Sequence, residues 1–169
     1  MHRNLLKLHY PLGFINSLPV PSRAYIKSMP TPILFYLDDD RDDLLFFKDV
    51  VGEIGMEVQL FQLGTDLLQA TSVPIKSSII FLDLNMLHQS GYEIMAELKL
   101  VPTLKDCPIV IYSTASDKYT INKCRRLGAS LYLIKPTSTG VLKIALQNIL
   151  QIDWTSFKSD DNNFVIKGE

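Results

Sequence analysis

From Ile33 onward the chain alternates short apolar runs with stretches of helical periodicity, and few architectures accommodate that alternation. Four runs, 33–37, 79–82, 109–112 and 131–134, are continuously apolar. A strand apolar at every position must be covered on both faces, as in a parallel sheet flanked by helices. The segment Glu57-Val58-Gln59-Leu60-Phe61 alternates polar and apolar instead, which predicts a strand near the sheet edge. Between the runs, Leu44, Phe47, Val51 and Ile54 share one helical stripe. So do Ile94 with Leu98, then Ile121, Cys124 and Leu127, then Leu142, Ala145, Leu146 and Ile149. A weaker helix runs from about Thr65 to Ala70, and Gly55 and Gly128 stand where a left-handed C-terminal cap is wanted. The expected fold class is α/β, a doubly wound five-stranded parallel sheet built from five βα units.

The rest of the chain bounds this core. At 169 residues and 47% hydrophobic content, one domain is the natural unit. Seventeen basic against eighteen acidic residues leave a net charge of -1, which argues against nucleic acid as a partner. No apolar stretch approaches the roughly 18 residues of a membrane span. The two cysteines, Cys107 and Cys124, form neither a disulfide framework nor a zinc motif, so a cytoplasmic protein with inert core thiols is expected. Residues 1–28, broken by Pro11, Pro19 and Pro21, read as a flexible arm or as an extension from a mis-chosen start. The domain is expected over 29–152. Residues 153–169 read as a polar tail, with Trp154, Phe157 and Phe164 as its candidate anchors.

Polar residues gather at the C-terminal ends of the predicted strands. Asp38, Asp39 and Asp40 follow the first, Asp83 the third, Ser113 and Thr114 the fourth, and Lys135 the fifth. In a doubly wound sheet, ligands bind beyond these ends where the winding reverses, so the scattered residues converge on one pocket. Carboxylates forced together repel unless a cation neutralises them. Oxygen donors without His or Cys favour Mg²⁺, which keeps waters or accepts phosphate oxygens. Lys135 then suits a phosphoryl group as a point charge, and Ser113 suits it as a hydrogen-bond donor.

This constellation resembles the receiver domain of two-component response regulators, over essentially 33–150. The family's acidic pair after the first strand is met by Asp38 and Asp39, and its acid after the third strand by Asp83. Its Ser or Thr after the fourth is met by Ser113, and its Lys-Pro after the fifth by Lys135 and Pro136. The separations agree too: 44 positions from Asp39 to Asp83 and 52 from Asp83 to Lys135. The resemblance implies the flavodoxin-like strand order 2-1-3-4-5. It implies that Asp83 is the phosphoacceptor, attacking a phosphohistidine of a sensor histidine kinase or histidine phosphotransfer protein. Asp39, Asp83 and the carbonyl of Asn85 would bind Mg²⁺ directly, with Asp38 acting mainly through water. Ser113 and Lys135 would hold the phosphoryl oxygens, and the Lys135–Pro136 peptide would be cis. Ser113 and Tyr132 would form the switch, signalling through the face of the fourth helix, fifth strand and fifth helix to a downstream protein target.

Two positions depart from the family pattern: Leu87 stands where proline is usual, and Ser90 where Asp is frequent, while Gly91 is in register. Taken singly, Asp42 and Asp43 read as acids complementing a helix N-terminus, and His88 as an exposed loop residue. A single-domain response regulator is the leading reading. The alternative is a receiver-like module that signals by partner binding without phosphorylation, although such modules usually lose an acid, the acceptor or the lysine. An Asp-nucleophile phosphohydrolase fits poorly, since Asn85 cannot act as the general acid two residues on.

Overall fold

The computed structural model describes residues 32–73 and 77–167. The N-terminal residues 1–28, expected as an arm or extension, lie outside the described residues. Five βα units follow in order: β1 Ile33–Leu37, α1 Arg41–Glu53, β2 Val58–Phe61, α2 Gly64–Ala70, β3 Ser78–Leu82, α3 Gly91–Leu100, β4 Ile109–Ser113, α4 Lys118–Arg126, β5 Leu131–Ile134 and α5 Thr139–Leu150. A short 3₁₀ turn, Pro102–Leu104, connects α3 to β4, and a sixth strand, β6 Val165–Ile166, ends the described chain. All strands are parallel, in the order β2-β1-β3-β4-β5-β6.

The apolar strands feed two cores at once because successive side chains leave a strand on opposite faces. Leu34, Tyr36, Ile79, Phe81, Val110, Tyr112, Leu131 and Leu133 pack with Leu44, Phe47 and Val51 of α1 and Leu142, Leu146 and Ile149 of α5. Phe35, Leu37, Ile80, Leu82, Ile109, Ile111 and Tyr132 pack with Leu67 of α2, Ile94, Met95 and Leu98 of α3 and Cys124 of α4. The stripes expected on α1, α3 and α5 therefore face the sheet, whereas on α4 Cys124 is buried with Ile121 packed beside it, and Leu127, expected on the same stripe, caps the helix and is exposed. β2 lies at an edge and is only half-buried, as its alternating sequence requires.

Helix ends are set by side chains that satisfy the backbone donors left free in a first turn. The Asp40 carboxylate caps α1, accepting from the Asp42 N–H at 2.8 Å and the Asp43 N–H at 3.4 Å. Ser90, the residue standing where the family often has Asp, caps α3 in a reciprocal box with Glu93. Gly55 (φ 77°) and Gly128 (φ 90°) take the left-handed conformation after α1 and α4.

The C-terminal residues, expected as a polar tail, fold back onto the domain and extend the five-stranded sheet by β6. Trp154 and Phe157 pack on the core shared by α1 and α5, with their rings 5.3 Å apart. Phe164 is buried in the opposite core, and β6 pairs with β5 through Tyr132↔Val165 and Leu133↔Ile166. The apolar run Phe164-Val165-Ile166 is too short to show a strand in the sequence. Only a neighbouring edge gives Val165 and Ile166 something to pair with.

Candidate functional site

β1 pairs with β2 on one side and β3 on the other, so the winding reverses between β1 and β3 and a crevice opens beyond their ends. Asp38 and Asp39 leave β1 there and Asp83 leaves β3. The Asp83 N–H donates to the Leu37 carbonyl at 3.0 Å, which sets the third acid beside the first two. Across the sheet, the Lys135 N–H donates to the Ser113 carbonyl at 2.9 Å, bringing the exits of β4 and β5 to the same crevice.

The Lys135 ammonium stands at the centre. Its Nζ lies 2.7 Å from Asp38 Oδ2, 2.6 Å from Asp43 Oδ2 and 3.2 Å from Asp83 Oδ1. Asp38 and Asp83 are buried, 2% and 4% exposed. Asp38 also accepts from the Tyr36 hydroxyl and, at 2.9 Å, from the Asp40 N–H. Asp83 Oδ2 accepts from the Asn85 N–H at 2.6 Å. Burial raises the Asp83 carboxyl above the usual carboxylate range, against the opposing pull of Lys135, while the charge of Asp38 pushes the same way as burial. At Lys135 burial works against the charge, but hydrogen bonds to Asp38 and Asp43 and the charge of Asp83 outweigh it, and its pKa is raised.

Asp39 is half-buried and turned aside. Its Oδ2 accepts from the Leu87 N–H at 2.6 Å, a bond that proline at this position could not make. Asn85 enters the site through its N–H. Ser113 is fully buried, and its Oγ accepts from the Ala115 N–H at 3.5 Å. Tyr132 is fully buried as well, and its hydroxyl donates to the Ala115 carbonyl at 2.8 Å, two residues beyond Ser113. Burial holds that hydroxyl protonated well above its usual range, so it serves as a donor. His88 is exposed and, with Leu45, Leu63, Asp66 and Leu87, lines an open cleft leading to Asp39.

The structure corrects one expectation outright. The Lys135–Pro136 peptide is trans, since the described residues contain no cis bond. Trans is the intrinsically favoured form before proline by about 0.5–1 kcal/mol, and Lys135 reaches all three acids from it.

Asp43, read singly as a helix-terminal acid, also holds Lys135. A cap at Asp40 places it at the third helical position, and helical side chains lean toward the N-terminus, so its carboxylate reaches back over the crevice. Tyr36 is a second unforeseen member. It sits two residues before Asp38, on the same side of the extended backbone. The ring of Tyr112, on the same face of β4, lies 5.4 Å beneath the Lys135 ammonium and completes the floor.

No three His, Cys, Asp or Glu side chains among the described residues stand close enough together to hold a metal ion. Asp38 and Asp83 face Lys135 and Asp39 faces Leu87 instead. The donor set nonetheless fits a hard cation. Three carboxylates, two of them buried, face a single ammonium, Asp39 stands at the edge of the same crevice, and every ligating atom among them is oxygen.

Residues 34–147 match the family model described as the response regulator receiver domain. The chain belongs to the response regulator receiver family. Among sequence relatives, this receiver domain is similar to two-component response regulator ARR5 of Arabidopsis thaliana, 26% identical over 85 residues, 50% of this chain and 46% of that protein. It is also similar to transcriptional regulatory protein LytR of Staphylococcus aureus, 30% identical over 91 residues, 54% of this chain and 34% of that one. The match spans less than half the length of either relative. In fold, the receiver domain resembles chemotaxis protein CheY4 of Vibrio cholerae, with a TM-score of 0.64 and 21% identity over 71% of this chain and 99% of that one. The strand order expected from the resemblance, 2-1-3-4-5, is the order found, with β6 appended beside β5.

Proposed function

We propose that this receiver domain takes a phosphoryl group onto Asp83 from a phosphohistidine of a sensor histidine kinase or histidine phosphotransfer protein. The observation that carries this reading is the convergence of Asp83, Asp38 and Lys135, from three different strand ends, within hydrogen-bonding reach of one ammonium.

An Asp83 carboxylate oxygen attacks the phosphorus as the phosphorus–nitrogen bond breaks. The electron pair leaves on the imidazole, and an acyl phosphate forms on Asp83. Lys135 has two parts in this step. Before it, the ammonium opposes the effect of burial and favours the ionised, nucleophilic form of Asp83. After it, the same ammonium neutralises the phosphoryl oxygens that replace the carboxylate charge. The Ser113 hydroxyl, whose backbone contact to Ala115 is long, turns to donate to those oxygens. Mg²⁺ bound by Asp39, Asp83 and the Asn85 carbonyl, with Asp38 behind it, would supply charge neutralisation during transfer. Movement of Ser113 is read out by Tyr132 and by the surface of α4 and α5 on either side of β5, whose edge β6 covers, and a downstream protein binds there. Both cysteines are free thiols, in keeping with a cytoplasmic site of action.

Incubation with Mg²⁺ and a small-molecule phosphodonor, followed by intact mass measurement, should show one base-labile phosphoryl adduct. Asp83→Asn should abolish it, and chelation of the metal should suppress it. An adduct that persists in Asp83→Asn excludes Asp83 as acceptor. A wild-type chain that takes up no phosphoryl group favours the partner-binding module instead.

A further inference from the structure

In a sheet of five strands β5 would be an edge, with its free amides and carbonyls available for pairing. Here its central residue is already engaged, because the Tyr132 N–H donates to the Phe164 carbonyl at 2.8 Å. The segment that supplies this partner is held at several points. The Phe164 ring is 2% exposed and packs on the Tyr132 ring with centroids 6.4 Å apart. Arg125 of α4 lies 5.8 Å over the Phe164 ring and pairs with Asp161. Asp160 closes the turn before β6, accepting from the Asn162 and Asn163 N–H groups at 2.8 and 3.0 Å. Further back, Trp154 and Phe157 anchor the segment to the other core.

Tyr132 thus has two attachments with different origins. Its hydroxyl is tied to Ala115, in the loop that follows Ser113, while its ring and backbone are covered by the C-terminal segment. We propose that residues 153–166 form an intramolecular strap that holds Tyr132 buried and thereby strengthens binding of a phosphoryl group at Asp83. The inference rests on the phosphoacceptor reading above. If the phosphorylated site and the docked strap both favour buried Tyr132, each must stabilise the other by the same factor.

The probe is beryllium trifluoride, which mimics a phosphoryl group on an aspartate carboxylate, added with Mg²⁺ to the full chain. Calorimetry gives its affinity, and hydrogen exchange of the Tyr132 amide reports strap docking directly, since that amide is bonded to Phe164. Saturating probe should slow exchange at the Tyr132 amide about tenfold, and Phe164→Ala should weaken probe binding by about the same factor. If Phe164→Ala does not fold, exchange in the wild-type chain alone decides the question. Probe binding that is lost in Asp83→Asn but leaves Tyr132 exchange unchanged overturns the strap and leaves the acceptor standing. Unchanged probe affinity in a folded Phe164→Ala chain has the same meaning. A wild-type chain that does not bind the probe overturns the acceptor reading, and the strap with it.

Discussion

Lys135→Ala is expected to destabilise the domain by about 3–5 kcal/mol at neutral pH in metal-free buffer, the penalty for leaving buried charge without its partner. Asp38 and Asp83 have no other cation within salt-bridge distance among the described residues, and both are shielded from water. Asp43 adds little to this figure, because its side chain is 45% exposed and solvent screens it. For a chain of this size the loss corresponds to a fall in Tm of about 6–20 °C. The deficit should also depend on pH in a definite direction. Asp83 already has a raised pKa in the folded protein, and Lys135 is the largest influence opposing that rise, so the variant raises it further. The native state then binds more protons than the unfolded chain, and its stability is retained at low pH and lost as pH climbs through the folded pKa of Asp83. Thermal melts of wild type and Lys135→Ala between pH 4 and 8 check this. Curves that stay parallel across the range, or a Tm within a degree or two of wild type at pH 7, contradict the account. Asp83→Asn placed in the Lys135→Ala background should recover part of the loss, since it removes one of the stranded charges.

Gly91→Ala is expected to destabilise the domain by about 2–4 kcal/mol, although it adds a single methyl group. A Cβ at Gly91 would meet the Asp83 carbonyl oxygen at 2.2 Å and the Leu84 Cα at 2.8 Å. Both obstacles are backbone, so no rotamer change relieves them. Either the start of α3 must lift away or the chain leaving β3 must shift, and the second carries the Asp83 carboxylate with it. Urea denaturation should show a lower midpoint with an unchanged slope. Gly52→Ala is the matching control. A Cβ there has nothing within 4 Å, and an alanine inside α1 should stabilise by about 0.5–1 kcal/mol. If both glycine substitutions behave alike, close packing at Gly91 is not what constrains that position.

How much of this was readable beforehand depends on whether the signal was local. Continuous apolar runs showed the strands because burial on both faces leaves no alternative, and the acids and the lysine stood out because they follow those runs directly. The ends of α1 and α4 were marked by Gly55 and Gly128, which adopt the positive φ such positions need. The missing parts depended on distance in space rather than in sequence. Asp43 looked like one more helix-terminal acid until Lys135, 92 residues away, was seen against it. Tyr36 looked like a core aromatic, and its hydroxyl has meaning only beside Asp38. The trans peptide before Pro136 departs from a family habit that no residue type in the chain enforces. β6 escaped notice because a run of three apolar residues, Phe164 to Ile166, is too short to make a pattern of its own, and the strand exists only where β5 offers hydrogen bonds.

The covering of β5 also bears on how separate molecules can meet. Sheets that associate edge to edge need a run of unpaired backbone groups on each side, and this sheet ends in a two-residue strand at one border and a four-residue strand at the other. Neither border is long enough to template an extended ladder. Among the described residues, the helix surfaces, where side chains set the partner, are therefore better suited to self-association than main-chain pairing that any sequence could join.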